Sequence, residues 1–171
     1  GVIVSSDGLI LTAAHVIERS KEMTVIFPDG RQEIARVLGA NFTRDAAMAQ
    51  LIGPGPWPFA ELGESKSLEV GDFVVAMGHP KGYDPTRRPP VRFGRVMGKG
   101  HLDFVTTDCT LIGGDSGGPL FDLNGRVVGI HSRHRIASKG VEIPKTGSKR
   151  PHRFGVGDNS AYRMPVGHGF A

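Results

Sequence analysis

The chain has 171 residues, enough to bury a core in one domain or in two small lobes. Its 25 glycines and 12 prolines stay below the share expected of low complexity, its 39% hydrophobic content argues against disorder, and no apolar run approaches the ~18 residues of a membrane span. The one cysteine, Cys109, can close no internal disulfide and excludes a four-cysteine zinc site, while the net charge of +4 is unevenly placed, with a basic C-terminal part that reads first as a solvated loop.

In chain order, Gly1 to Val4 reads as a strand already under way, with no start methionine and no signal pattern, so the N-terminus is expected to be truncated. Asp7-Gly8 turns this run into Leu9 to Thr12. A second hairpin joins Met23 to Phe27 and Gln32 to Leu38 through Pro28-Asp29-Gly30, where proline presets the turn angle and glycine accepts positive φ. Ala46 to Leu51 is the next strand, and Gly53 to Pro58 cannot be regular structure. Val74 to Met77 reads as a buried strand. The following stretch holds Pro80, Pro85, Pro89 and Pro90 and is taken as a boundary: lobe 1 at about 1–77, a crossover at about 78–91 and lobe 2 at about 92–171. Val91 to Met97, Phe104 to Thr107 and Arg126 to His131 complete the predicted strands, the last entered through Asn124-Gly125. Without helical periodicity, heptads or repeats, the fold class is all-β, with two small packed antiparallel barrels.

The segment with the most chemistry is Gly113-Gly114-Asp115-Ser116-Gly117-Gly118-Pro119. Glycines on both sides let the backbone turn sharply, expose the serine oxygen and point successive N–H groups into a concavity suited to an oxyanion. Serine alone is a weak nucleophile and needs a histidine base held by an acid. His15 qualifies because it follows an apolar strand just as Ala13 and Ala14 open a short turn of helix. Asp45, at the start of Ala46 to Leu51, is the matching carboxylate; Asp72, Asp103 and Asp108 compete with it.

The order His15, Asp45, Ser116, carried by Thr-Ala-Ala-His, Asp-x-Ala and Gly-Asp-Ser-Gly-Gly-Pro, resembles the trypsin-like serine protease superfamily. The short spacing between His15 and Asp45, the lack of disulfides, Val70 to Gly82, Leu62 to Ser65 and Thr106-Thr107-Asp108 are similar to the bacterial HtrA/DegP branch, and Asn159 to Val166 resembles that domain's closing strand. The resemblance implies a chymotrypsin-like pair of six-stranded-type barrels, the first incomplete at its N-terminus. It further implies a serine endopeptidase acting on protein or peptide substrates through a His15–Asp45–Ser116 triad and an acyl-enzyme, with Gly114 and Ser116 N–H groups as the oxyanion hole. Thr110, Leu111, Ser132 and Arg133 would line the substrate pocket; lacking a charge at Thr110, it is expected to favour aliphatic side chains. No cofactor or metal is expected, and a periplasmic or extracellular site is implied by the resemblance only. The chain departs from the branch at Asp115, where asparagine is usual, and across 133–153, which matches nothing in it. Asp115 is expected to be held by a neighbouring polar group or by a cation from 133–153, because an unpaired buried carboxylate costs several kcal/mol.

Two other readings compete. A catalytically silent binding module could keep the same fold, but here all three triad members and the glycine turn are present. Binding of nucleic acid or an anionic surface through 131–153 lacks the aromatic residues that stacking would use, so no nucleic-acid partner is expected. His131 and His134 lie three apart, on opposite sides of a strand, and cannot share an ion there. Cys109 reads as a small buried apolar residue rather than a nucleophile.

Overall fold

The computed structural model describes residues 1–132 and 159–163. Among them, runs of alternating inward and outward side chains, cut by glycine and proline turns, form β1 (Val2–Ile3), β2 (Leu9–Thr12), β3 (Glu22–Ile26), β4 (Gln32–Asn41) and β5 (Ala46–Leu51). These strands make one antiparallel sheet in the order β1-β2-β5-β4-β3. The turn into β2 requires glycine. Gly8 has φ 93°, and a Cβ there would lie 2.8 Å from both Leu51 Cβ and Trp57 Cδ1. A register shift between Val37 and Gly39 helps curl the sheet around Ile10, Phe27, Ala35, Ala49, Leu51 and Trp57. The one described α-helix, α1 (Ala14–Ile17), follows β2 directly.

The second sheet is a closed barrel in the order β10-β11-β8-β7-β6-β9, built from β6 (Phe73–Met77), β7 (Val91–Lys99), β8 (Phe104–Thr107), β9 (Pro119–Phe121), β10 (Val127–His131) and β11 (Asn159–Arg163). Val74, Ala76, Val96, Val105, Leu120 and Val128 fill it. The all-β, two-lobed expectation agrees with this architecture: a five-stranded curled sheet beside a six-stranded barrel.

The lobe boundary is corrected. Val74 to Met77 is expected in lobe 1, but β6 pairs with β7 and β9, so residues 52–72 connect the two sheets and the proline-rich stretch is a loop inside the second barrel. The physical reason is that Val74 and Ala76 point into the second core, whereas prolines without an N–H exclude a strand between β6 and β7 but cannot say which sheet either joins. β9 was not predicted; three residues straight after a glycine turn show too little alternation to be read.

The halves meet along β10, whose five residues are all buried. Val128 faces the barrel core, while Ile130 packs with Val4, Leu11 and Ala46 of the first sheet.

Candidate active site

Residues 15 and 45 are brought together by strand register. β2 and β5 run antiparallel with Thr12 opposite Ala47, so the residues just past the end of β2 lie beside those just before β5. Ala13 and Ala14, both fully buried, let α1 sit close under the sheet. His15 Nδ1 lies 2.7 Å from Asp45 Oδ2 and 2.9 Å from Oδ1, and the His15 backbone N–H donates to Oδ1 at 2.9 Å. A carboxylate only accepts, so Nδ1 carries a proton, and in the neutral form of the ring Nε2 keeps its lone pair. Two of the competing carboxylates are occupied elsewhere. Asp72 accepts the Glu69 N–H in a surface turn, and the Asp108 carboxylate accepts the Arg95 N–H.

The second barrel contributes a further partner. Ser132, the residue after β10, donates its hydroxyl proton to Asp45 Oδ2 at 2.7 Å. Sequence reading placed Ser132 in the substrate pocket; the structure gives its hydroxyl to the carboxylate that holds His15. A cleft of about 890 Å³ opens beside them, lined by His15, Asp45, Ser132, Phe42, Leu102 and Phe104 among others. Of the remaining pocket expectations, Thr110 is exposed and Leu111 packs against the second core, and neither lines this cleft. Arg133, His134 and the basic stretch 133–153 lie outside the described residues.

Ser116 sits on a tight elbow that seats against the first sheet. Gly117 has φ 77°, and a Cβ on it would come within 2.2 Å of Thr12 Oγ1 and 3.0 Å of the Ala13 nitrogen, so the elbow touches the chain two and three residues before His15. The Gly117 N–H donates to His131 O at 2.7 Å and the His131 N–H to Gly118 O at 2.8 Å, tying the elbow to β10. Ser116 is half-buried, and its hydroxyl has no hydrogen-bond partner among the described residues.

The turn before the serine has a defined shape. The Asp115 N–H donates to Ile112 O at 3.1 Å and Gly114 has φ 101°, the positive value that a type II turn needs at its third position. Gly113 O accepts the Lys81 N–H at 2.6 Å. In a planar trans peptide the C=O and N–H point opposite ways, so the Gly114 N–H is directed away from the residue 79–82 loop. Neither Gly114 nor Ser116 donates its N–H to a carbonyl among the described residues.

Two buried groups sit beneath this turn. Asp115, 2% exposed, pairs with Arg92, whose Nη2 is 3.2 Å from Oδ2, so among the described residues its cation comes from β7; the stretch 133–153 lies outside them. The signal was present in the sequence, since Arg92 shares the inward phase of its strand with Gly94 and Val96 and an arginine there needs a buried partner. His131 donates from Nε2 to Met77 O at 3.1 Å, and burial pushes its pKa down to about 4. It is held neutral as a structural donor; among the described residues no cluster of His, Cys, Asp and Glu could hold a metal ion. Cys109 is buried in the second core.

A double β-sheet fold with a half-buried Asp–His pair and a glycine-flanked serine elbow seated against the strand that leads to the histidine defines a class of protein, and comparison with known proteins gives its family. The Trypsin-like peptidase domain profile matches residues 1–130, and the chain belongs to that family, on its HtrA/DegP branch. It is 39% identical over 140 residues to a probable periplasmic serine endoprotease DegP-like from Ectopseudomonas mendocina, an alignment covering 78% of this chain and 28% of that protein. A protein of the same description from Hahella chejuensis is 39% identical over 147 residues, covering 82% of this chain and 30% of the relative. The chain thus spans less than a third of the length of these relatives. Among solved structures, an HtrA-type protease, AlgW with decapeptide, superposes with a TM-score of 0.72 at 27% identity over 95% of this chain and 46% of that one.

Proposed function

We propose that this chain is a serine endopeptidase domain that hydrolyses peptide bonds through His15, Asp45 and Ser116. The observation that carries the reading is the His15–Asp45 pair, at 2.7 Å, beside the elbow that presents Ser116. With Nδ1–H held by Asp45, Nε2 of His15 takes the Ser116 hydroxyl proton as Oγ bonds to the substrate carbonyl carbon. The tetrahedral oxyanion is met by the Gly114 and Ser116 N–H groups, each such donor being worth roughly 3–4 kcal/mol. His15 passes its proton to the leaving amine as the C–N bond breaks, leaving an acyl-enzyme. Water, deprotonated by His15, then releases the acid and restores Ser116. Asp45 keeps the ring in the productive tautomer and stabilises the imidazolium, with Ser132 fixing the carboxylate in turn.

Protein or peptide substrates, laid along the cleft as extended segments, follow from this reading, as does a pocket near Thr110 and Leu111 without charge and suited to aliphatic side chains. The names of the relatives support a periplasmic site of action. A fluorophosphonate probe tests the assignment. Stoichiometric labelling that maps to Ser116 and disappears in Ser116→Ala is expected, together with loss of peptide hydrolysis. Peptide binding without labelling would instead indicate the silent module.

A further inference from the structure

Asp115 is clasped at both ends of the turn that precedes Ser116. Its backbone N–H donates to Ile112 O at 3.1 Å, and its own Oδ2 accepts the Ile112 N–H at 2.9 Å. The turn 112–115 is thus closed twice, once through the main chain and once through the Asp115 carboxylate, so the orientation of the Gly113–Gly114 peptide follows the position of that carboxylate. The slot around it admits little movement. A Cβ on Gly78 would lie 2.5 Å from Asp115 Oδ1, and one on Gly118 would lie 2.4 Å from Met77 O and 2.9 Å from Asp115 O.

A carboxylate this deeply buried is unstable unless a cation accompanies it. The charged partner it has among the described residues is Arg92, 16% exposed, whose Nη2 stands 3.2 Å from Oδ2, the same oxygen that holds Ile112. Without that guanidinium the carboxylate would gain by swinging toward water, pulling on Ile112 and releasing the turn. We propose that Arg92 is a positioning residue: its ion pair with Asp115 holds the 112–115 turn in the shape that presents the Gly114 N–H to the oxyanion. This rests on the protease reading above and adds to it the element that keeps the oxyanion hole formed.

The test is a charge-pair cycle on the chain, with peptide hydrolysis, fluorophosphonate labelling and thermal melting measured for each variant. Arg92→Met is expected to lower kcat about 100-fold, the scale of losing one oxyanion donor, with KM changed less than about threefold, since no substrate contact is removed. Arg92→Met combined with Asp115→Asn removes both charges and is expected to recover kcat to within about tenfold of wild type, because the amide can still accept from Ile112 without needing a cation. A purely structural role would lower the folded fraction and leave kcat per labelled serine unchanged, and that result overturns the proposal. Should Arg92→Met fail to fold, the double variant and Arg92→Lys decide the matter: both are expected to fold and to stay within about tenfold of wild type, and a folded double variant 100-fold slower overturns the inference. A wild-type protein labelled at Ser116 alongside an unimpaired Arg92→Met rejects the role of Arg92 alone. A wild type that neither labels nor turns over rejects the protease reading and this one with it.

Discussion

Asp45 occupies the left-handed region, with φ 51°, where its carboxylate can reach both the backbone N–H and Nδ1 of His15. Aspartate and asparagine tolerate that region better than other non-glycine residues. Asp45→Asn should therefore leave the melting temperature almost unchanged while lowering kcat about 10⁴-fold, as the amide favours the wrong tautomer. Asp45→Ala should lose activity similarly and also melt earlier, by the roughly 1 kcal/mol or more of a strained backbone. Steady-state kinetics and melting curves of the two variants separate the chemical role from the conformational one. The choice of Asp45 over Asp72 was legible in sequence from its place at the head of an apolar strand. The hydrogen bond from Ser132 to Asp45 was not, because it joins residues 87 positions apart through the packing of one half on the other.

At the level of elements, β10 joins function to stability. Its last residue, His131, is fully buried and neutral, donating to Met77 O of β6, with Asp115, the Gly1 α-amine and Arg92 as its charged neighbours. In the unfolded chain a histidine takes up a proton near pH 6.5, but in the folded protein His131 resists until about pH 4. Between these values the unfolded state binds more protons, so His131 contributes stability that is full above pH 6.5 and is lost as pH falls toward 4. Urea midpoints at pH 7.5, 6 and 4.5 should fall more steeply for wild type than for His131→Gln, whose amide can still donate to Met77 O. Equal slopes would place the acid sensitivity elsewhere. The strand itself was readable from its apolar run, and the positions of β3, β5 and β8 were readable to within a residue or so, because each is bounded by a turn or shows an inward–outward alternation. β9 was not, being fixed by pairing with β6 and β10 rather than by its own three residues.

At the scale of the molecule, the candidate site exists only where the two sheets meet. His15 and Asp45 come from the first, Ser116 and Ser132 from the second, and the contact is sealed by Ile130 against Val4, Leu11 and Ala46. Ile130→Ala should destabilise the fold by about 2–5 kcal/mol, as large-to-small changes in tight cores do, and should also slow hydrolysis in the folded fraction, because Ser132 lies two residues further on. Ile34→Ala, on the outer face of β4 at 44% exposure, should stay within about 0.5 kcal/mol and leave hydrolysis untouched. Denaturation curves and activity per folded molecule check both.

The amino-acid sequence by itself determined the all-β class, most strand positions, the glycine turns and the chain order of His15, Asp45 and Ser116. Those features are local: alternation is set by the two-residue period of a strand, a positive-φ turn by its glycine, and the serine elbow by the glycines that flank it. Tertiary structure decided which barrel β6 joins, which hydroxyl holds Asp45 and which cation answers Asp115. Each of these depends on strand register and on what is buried opposite, and a run of apolar residues pairs equally well with either sheet until the cores around Val74 and Ile10 have separated.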